Sequence, residues 1–94
     1  MGRDDGRDEV LIEAFASELR ARRTEQKLSQ EALADLAYVN RTYIAKLELA
    51  KNQPSLSVLH RLAKALKADL PEMLAGTLRR YRRIRRAGPA ISPE

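Results

Sequence analysis

From about Glu9 onward, apolar residues recur at helix spacing. Val10, Leu11, Phe15 and Leu19 are separated by charged positions, and the pattern fades at TEQK, residues 24–27. Leu28 then precedes Ser29, whose hydroxyl suits the N-cap of a second short helix, Gln30 to Ala37, burying Leu33, Ala34 and Ala37. Asn40 is the next N-cap and opens a third helix to about Leu49, with Ile44 and Leu47 inward. KNQP reads as a turn, after which Pro54 and Ser55 start a fourth helix with Leu56, Leu59, Leu62, Ala63 and Leu66 on one face. Asp69 and Glu72 form a D-x-x-E capping box for a short fifth helix through Leu70 and Leu74. No run of alternating β-branched residues competes. The pattern predicts an all-α, compact five-helix domain.

Composition narrows this picture. The 94 residues fit one domain with one core, and the apolar mass is Leu and Ala with only four aromatics. There is no cysteine, so disulfides and thiolate metal sites are excluded. The single histidine, His60, comes without clustered carboxylates, which leaves no metal set and no implied cofactor. No apolar run approaches the roughly 20 residues that span a bilayer, and the charged start MGRDDGRDEV is no secretory signal. A cytoplasmic location, without membrane contact, is the expectation.

The net charge of +5 is unevenly spread. Residues 1–27 carry six basic and seven acidic side chains, residues 28–76 six and five, and residues 77–94 six arginines against one glutamate. The reading is therefore a disordered arm over 1–8, a domain over 9–76 and a basic extension over 77–94. In the extension, LRRYRRIRR places Leu78, Tyr81 and Ile84 every third residue with arginine pairs between. It reads as a continued helix with an apolar stripe, and its arginines are candidates for phosphate contacts.

Two short helices joined by a turn of a few residues form the helix-turn-helix pattern. In that unit the second helix sets its N-terminal side chains against base edges in the major groove, about 12 Å wide. The polar start of the third helix, Asn40-Arg41-Thr42-Tyr43, suits such a task. Arg41 can donate two parallel bonds to guanine, a pairing worth about 1–3 kcal/mol of discrimination. Thr42 offers a hydroxyl and a methyl, and Lys46 reaches a second guanine or a phosphate. Tyr43 flanks them with its hydroxyl toward a phosphate. Gln30 starts the second helix, where backbone amides attract phosphate, and Lys51 and Asn52 follow the third helix toward the opposite backbone.

The stretch LSQEALADLAYVNRTYIAKLELAKNQPSLSVLHRLAKAL followed by ADLPEML resembles the XRE family, the phage Cro/repressor type of helix-turn-helix, from about Phe15 to Ala75. The resemblance implies a transcription regulator that binds double-stranded DNA, usually as a homodimer on a palindromic operator. It assigns phosphate contact to Gln30, base reading to Arg41, Thr42 and Lys46, and a partly buried structural ion pair to Arg23 and Glu48. It departs where relatives commonly carry glycine: Lys27, Tyr38 and Ala50 hold those turns. Left-handed backbone at a residue other than glycine costs about 1–2 kcal/mol, and Tyr38 is expected in that conformation with its ring covering an edge of the core.

Other function classes are weaker. Paired acid/base groups, a phosphate loop and an activated nucleophile are all missing from the sequence, so an enzyme is not expected, and no small-molecule pocket is readable. A protein-interaction module or an antitoxin on the same fold is the alternative, given the apolar Leu36 and Leu49 at positions that are often polar in relatives. Dimerisation is expected through Leu70, Met73, Leu74, Leu78 and Tyr81.

Overall fold

The computed structural model describes residues 6–87. They form five helices: α1 Glu9–Glu25, α2 Gln30–Ala37, α3 Arg41–Glu48, α4 Leu56–Ala65 and α5 Leu70–Ala87. Most of the expected disordered arm and the end of the extension, 88–94, lie outside the described residues. Asp8 accepts from the Leu11 amide at 3.0 Å and so caps α1.

Each of the next three starts has its own cap. Ser29 Oγ accepts from the Ala32 amide at 3.0 Å, Asn40 Oδ1 from Tyr43 at 2.8 Å, and Ser55 Oγ from Val58 at 3.1 Å. These bonds satisfy amides that have no partner within their own helix.

The helix ends repeat one device. At Lys27, Tyr38, Ala50 and Lys67 the backbone is left-handed, with φ between 54° and 60°. At each, the next residue's amide bonds the carbonyl five residues back, as in Val39 to Ala34 at 3.0 Å and Ala68 to Ala63 at 2.8 Å. This is the Schellman closure, which normally recruits glycine. Here Leu28, Val39 and Ala68, the residues after three of these positions, pack on the core. Their burial and the satisfied carbonyls offset the left-handed backbone. The Tyr38 ring, however, is 83% exposed. It does not cover the core edge as expected, because the αL turn sends its side chain outward.

The core gathers Phe15 and Leu19 of α1, Leu33 and Ala37 of α2, Ile44 and Leu47 of α3, Leu62 and Leu66 of α4, and Met73 of α5. Two inward faces differ from the expected ones. On α1 the buried stripe is Ile12, Phe15, Ala16 and Leu19, at i, i+3, i+4 and i+7, which leaves Leu11 36% exposed. On α4, Leu56 is 78% exposed, because the helix meets the core only from Val58 and Leu59 onward. The fifth helix is long rather than short. It runs unbroken through Gly76 and Thr77, both buried, and takes in the arginine-rich segment. Strong helix formers on both sides carry it through the glycine.

Candidate nucleic-acid interface

The helix-turn-helix consists of α2, the αL turn at Tyr38 and α3. Arg41, Thr42 and Lys46 are all exposed on α3, while Ile44 and Leu47 of the same helix are fully buried. Three hydrogen-bonding side chains therefore project from one helix whose other side is fixed in the core.

That fixation has a polar component. Glu48, the last residue of α3, has a side chain only 1% exposed. Arg23 of α1 donates to it twice, from Nε at 2.6 Å and Nη2 at 3.0 Å, and Gln30 Nε2 donates at 3.0 Å. Arg20 stands 3.7 Å away. Burial pushes the Glu48 carboxyl up, but the bonds from Arg23 and Gln30 and the nearby guanidinium charges outweigh it and hold the group below its ordinary value. The bond to Glu48 in turn raises Arg23. Arg23 also donates to the Leu28 carbonyl at 2.8 Å, so one guanidinium ties α1, the approach to α2 and the end of α3 together.

Gln30 is half-buried and uses one amide N–H on Glu48. Its second N–H remains available beside the N-terminus of α2. Tyr43 packs against the core. Burial raises its phenol, and the nearby Arg61 charge and Ser55 backbone only partly counter this. Arg61 Nε also donates to the Ala37 carbonyl at 2.9 Å and joins α4 to the end of α2. Lys51 is exposed and Asn52 half-buried, and the Lys51 carbonyl accepts from Arg7 at 3.3 Å.

Sequence reasoning missed a second buried carboxylate. Glu18, 7% exposed, accepts from Arg22 at 2.6 Å and from Arg80 of α5 at 2.9 Å. Gly76 lies against it: a Cβ there would fall 2.7 Å from Glu18 Oε1 and Cδ. Burial raises this carboxyl, but the two arginines prevail and lower it. The available signal was Gly76 itself, a glycine inside a helical pattern four residues before an arginine. Its partner lies 62 residues from Arg80 in sequence.

Among the described residues no cluster of His, Cys, Asp or Glu can hold a metal, and no helix is long and apolar enough to cross a membrane. An apolar groove of about 280 Å³ opens between α1, the segment before α4 and α5, lined by Leu11, Ile12, Phe15, Leu59, Leu74 and Leu78 among others.

Against known proteins, the helix-turn-helix family model matches residues 19–73. The control protein C.SmaI of Serratia marcescens is 40% identical over 64 residues, 68% of this chain and 76% of that protein. The HTH-type transcriptional activator BcrR of Enterococcus faecalis is 37% identical over 62 residues, 66% of this chain but only 30% of BcrR. Among solved structures, the restriction-modification controller protein C.AhdI of Aeromonas hydrophila superposes with a TM-score of 0.64 at 35% identity, over 66% of this chain and 94% of C.AhdI.

Proposed function

Because the chain belongs to the helix-turn-helix family of the XRE type, we propose that it is a sequence-specific transcription regulator of the restriction-modification controller kind. It binds double-stranded DNA as a homodimer on a palindromic operator, with α3 in the major groove. The observation that carries this reading is the exposed set Arg41, Thr42 and Lys46 on a helix whose opposite face is buried and whose last residue is held by Arg23. A side chain reads a base edge usefully only when its helix cannot swing, and the Glu48 network supplies that constraint.

In this reading Arg41 takes a guanine through two parallel bonds, Thr42 contacts a neighbouring base, and Lys46 reaches a second guanine or a phosphate. The start of α2 with the second Gln30 N–H, together with Lys51 and Asn52, binds phosphate and sets the register. Tyr43 supports α3 from its packed position. Likeness to C.SmaI and C.AhdI favours the controller kind over a phage repressor or an antitoxin.

For the dimer, Leu74 and Leu78 on α5 and Leu11 on α1 are exposed by 37%, 45% and 36% beside the apolar groove. Met73 is fully buried in its own core and is no part of that surface. Dimers of this motif bind half-sites about 34 Å apart, the spacing such a dimer should show.

Selection of bound fragments from random duplex DNA tests the proposal. It predicts an inverted repeat with half-sites about one helical turn apart, and Arg41→Ala relaxes one position at a loss of about 1–3 kcal/mol. Failure to enrich any sequence refutes it. Sedimentation tests the dimer: the chain sediments as a dimer and Leu78→Glu as a monomer, whereas a monomeric wild-type chain refutes that part. The second reading, a protein-interaction module, draws on the exposure of Leu36 at 53% and Leu49 at 59%. It predicts no steep salt dependence of binding to mixed DNA.

A further inference from the structure

Successive residues of an α-helix turn by about 100°, and this gives α5 three distinct sides. Met73, Thr77, Arg80 and Ile84 share the first, which packs on the protein: Met73 and Thr77 are buried, Ile84 is half-buried and Arg80 is bonded to Glu18. Leu74, Leu78 and Tyr81 share the second, the apolar patch assigned above to the dimer. Arg79, Arg82, Arg83 and Arg86 share the third, at i, i+3, i+4 and i+7, and all four are exposed. We propose that this arginine stripe is a second contact with duplex DNA, binding backbone phosphates outside the base pairs that α3 reads. The inference rests on the proposed DNA-binding function and extends it to a surface beyond residue 73, where the family match ends.

The charge on the stripe is not used by the fold. Among the described residues none of these four arginines has a carboxylate within ion-pair range, and α5 carries no acidic residue after Glu72. The adjacent carboxylate, Glu18, is already shared by Arg22 and Arg80. Glu18 and Gly76 line a shallow polar depression of about 130 Å³ together with Arg79, Arg80 and Arg83. Like charges three and four residues apart repel one another on a helix. The stripe therefore opposes its own helix until an anion lies along it.

Spacing and residue type indicate which anion. Residues 79 and 86 are about 10.5 Å apart along the axis, a length over which one DNA strand advances about three nucleotides. All six basic residues after position 76 are arginine, although lysine is used in the body at 27, 46, 51, 64 and 67. The planar guanidinium forms paired bonds with phosphate that an ammonium cannot. Four guanidinium groups held along one helix suit a duplex backbone. Single-stranded RNA is bound through exposed aromatic platforms, and Tyr81 is half-buried here. A bilayer surface requires a free apolar face at the same depth, and the exposed apolar side of α5, Leu74 and Leu78, is the one assigned to the dimer.

The test follows binding of the full chain to a mixed-sequence 30-base-pair duplex by fluorescence anisotropy between about 50 and 200 mM salt. Each phosphate neutralised contributes about 0.9 to the log–log slope. The variant R79Q/R82Q/R83Q/R86Q, with unchanged helical circular dichroism, should lower the slope by about 2 to 3 and weaken binding at least tenfold at the lowest salt. Arg82→Gln and Arg86→Gln, as single exposed changes, should each lower it by about 0.9. Unchanged slopes in all three variants overturn the proposal and leave the α3 reading intact. Loss of binding to a single-stranded RNA 30-mer, with duplex binding unaffected, overturns it in favour of RNA. The variant R41A/K46A separates the two claims: it should lose sequence preference yet keep the slope that depends on the stripe. A wild-type chain that binds no duplex at the lowest salt overturns both.

Discussion

Replacing Glu48 with glutamine keeps the shape of the side chain and removes its charge. The carboxylate now accepts two bonds from Arg23 and one from Gln30, with its side chain 1% exposed. An amide offers one acceptor oxygen and turns an NH2 group toward donors on the other side, so the Arg23 guanidinium is left facing no anion in a site where its own side chain is 14% exposed. Breaking one partner of a buried pair costs about 3–5 kcal/mol. Arg23 keeps its bond to the Leu28 carbonyl and some access to water, which sets the expected loss at the low end, about 3 kcal/mol. A domain of this size has a total stability of roughly 5–14 kcal/mol. The melting temperature should therefore fall by about 12–24 °C. Urea and thermal unfolding at pH 7, followed by circular dichroism at 222 nm, measure it, and the double variant R23M/E48M should recover most of the loss because no charge is then stranded. A Glu48→Gln cost below about 1 kcal/mol would mean that the pair behaves as an exposed one, and the claim that it holds the angle of α3 would be wrong.

Acid should act through the same groups. Glu18 and Glu48 both sit below the ordinary value of 4.5 in the folded chain, so their contribution is present above pH 4.5 and disappears as pH falls through their lowered values. Stability should be flat from pH 7 to about 5 and drop below that, less steeply in Glu48→Gln; a loss beginning near pH 6 would contradict this assignment. Tyr38→Gly should stabilise the chain by about 1 kcal/mol, because it relieves a left-handed residue and sacrifices a ring that is 83% exposed; a destabilised variant in urea unfolding would show that the ring contributes more than its exposure allows. Gly76→Ala should destabilise by about 1 kcal/mol, since the new Cβ collides with a Glu18 carboxylate pinned by two arginines. In a Glu18→Ala background the same change should stabilise by roughly 1 kcal/mol from helix propensity alone, and a sign that does not reverse would refute the clash.

How far the sequence reveals this molecule depends on the range of the interaction. The N-caps Ser29, Asn40 and Ser55 act within three residues of themselves, and α2, α3 and α4 start beside them as read. Lys27, Tyr38 and Ala50 are marked only through the family resemblance, because relatives commonly carry glycine there, and the left-handed backbone expected at Tyr38 occurs at all three. Lys67 adopts it too and was missed, since no expected glycine marked the place. Side-chain direction was less accessible: periodicity gave Leu56 an inward face that the first turn of α4 does not have, and it could not tell where the Tyr38 ring would point. Glu18 was invisible because its pairing with Arg80 exists only once α1 and α5 are packed together. Residue pattern alone thus stops where partners are brought together by the core; the one such pair anticipated, Arg23 with Glu48, came from the family resemblance.

The arginines divide by the same criterion. Arg20, Arg22 and Arg23 of α1 and Arg80 of α5 surround two buried carboxylates, one tying α1 to α3 and the other tying α1 to α5. Their charge is consumed in fixing those two helices to a common support. Arg41 and Lys46 on α3, and the four arginines along the outer side of α5, are exposed and have no carboxylate in range among the described residues. These six cations therefore lie on the two helices whose orientation the buried pairs fix. A flexible basic tail would attract a polyanion without regard to register. Guanidinium groups on braced helices have already lost the orientational freedom that binding would otherwise remove, so these bonds can favour one alignment of protein on duplex over its neighbours.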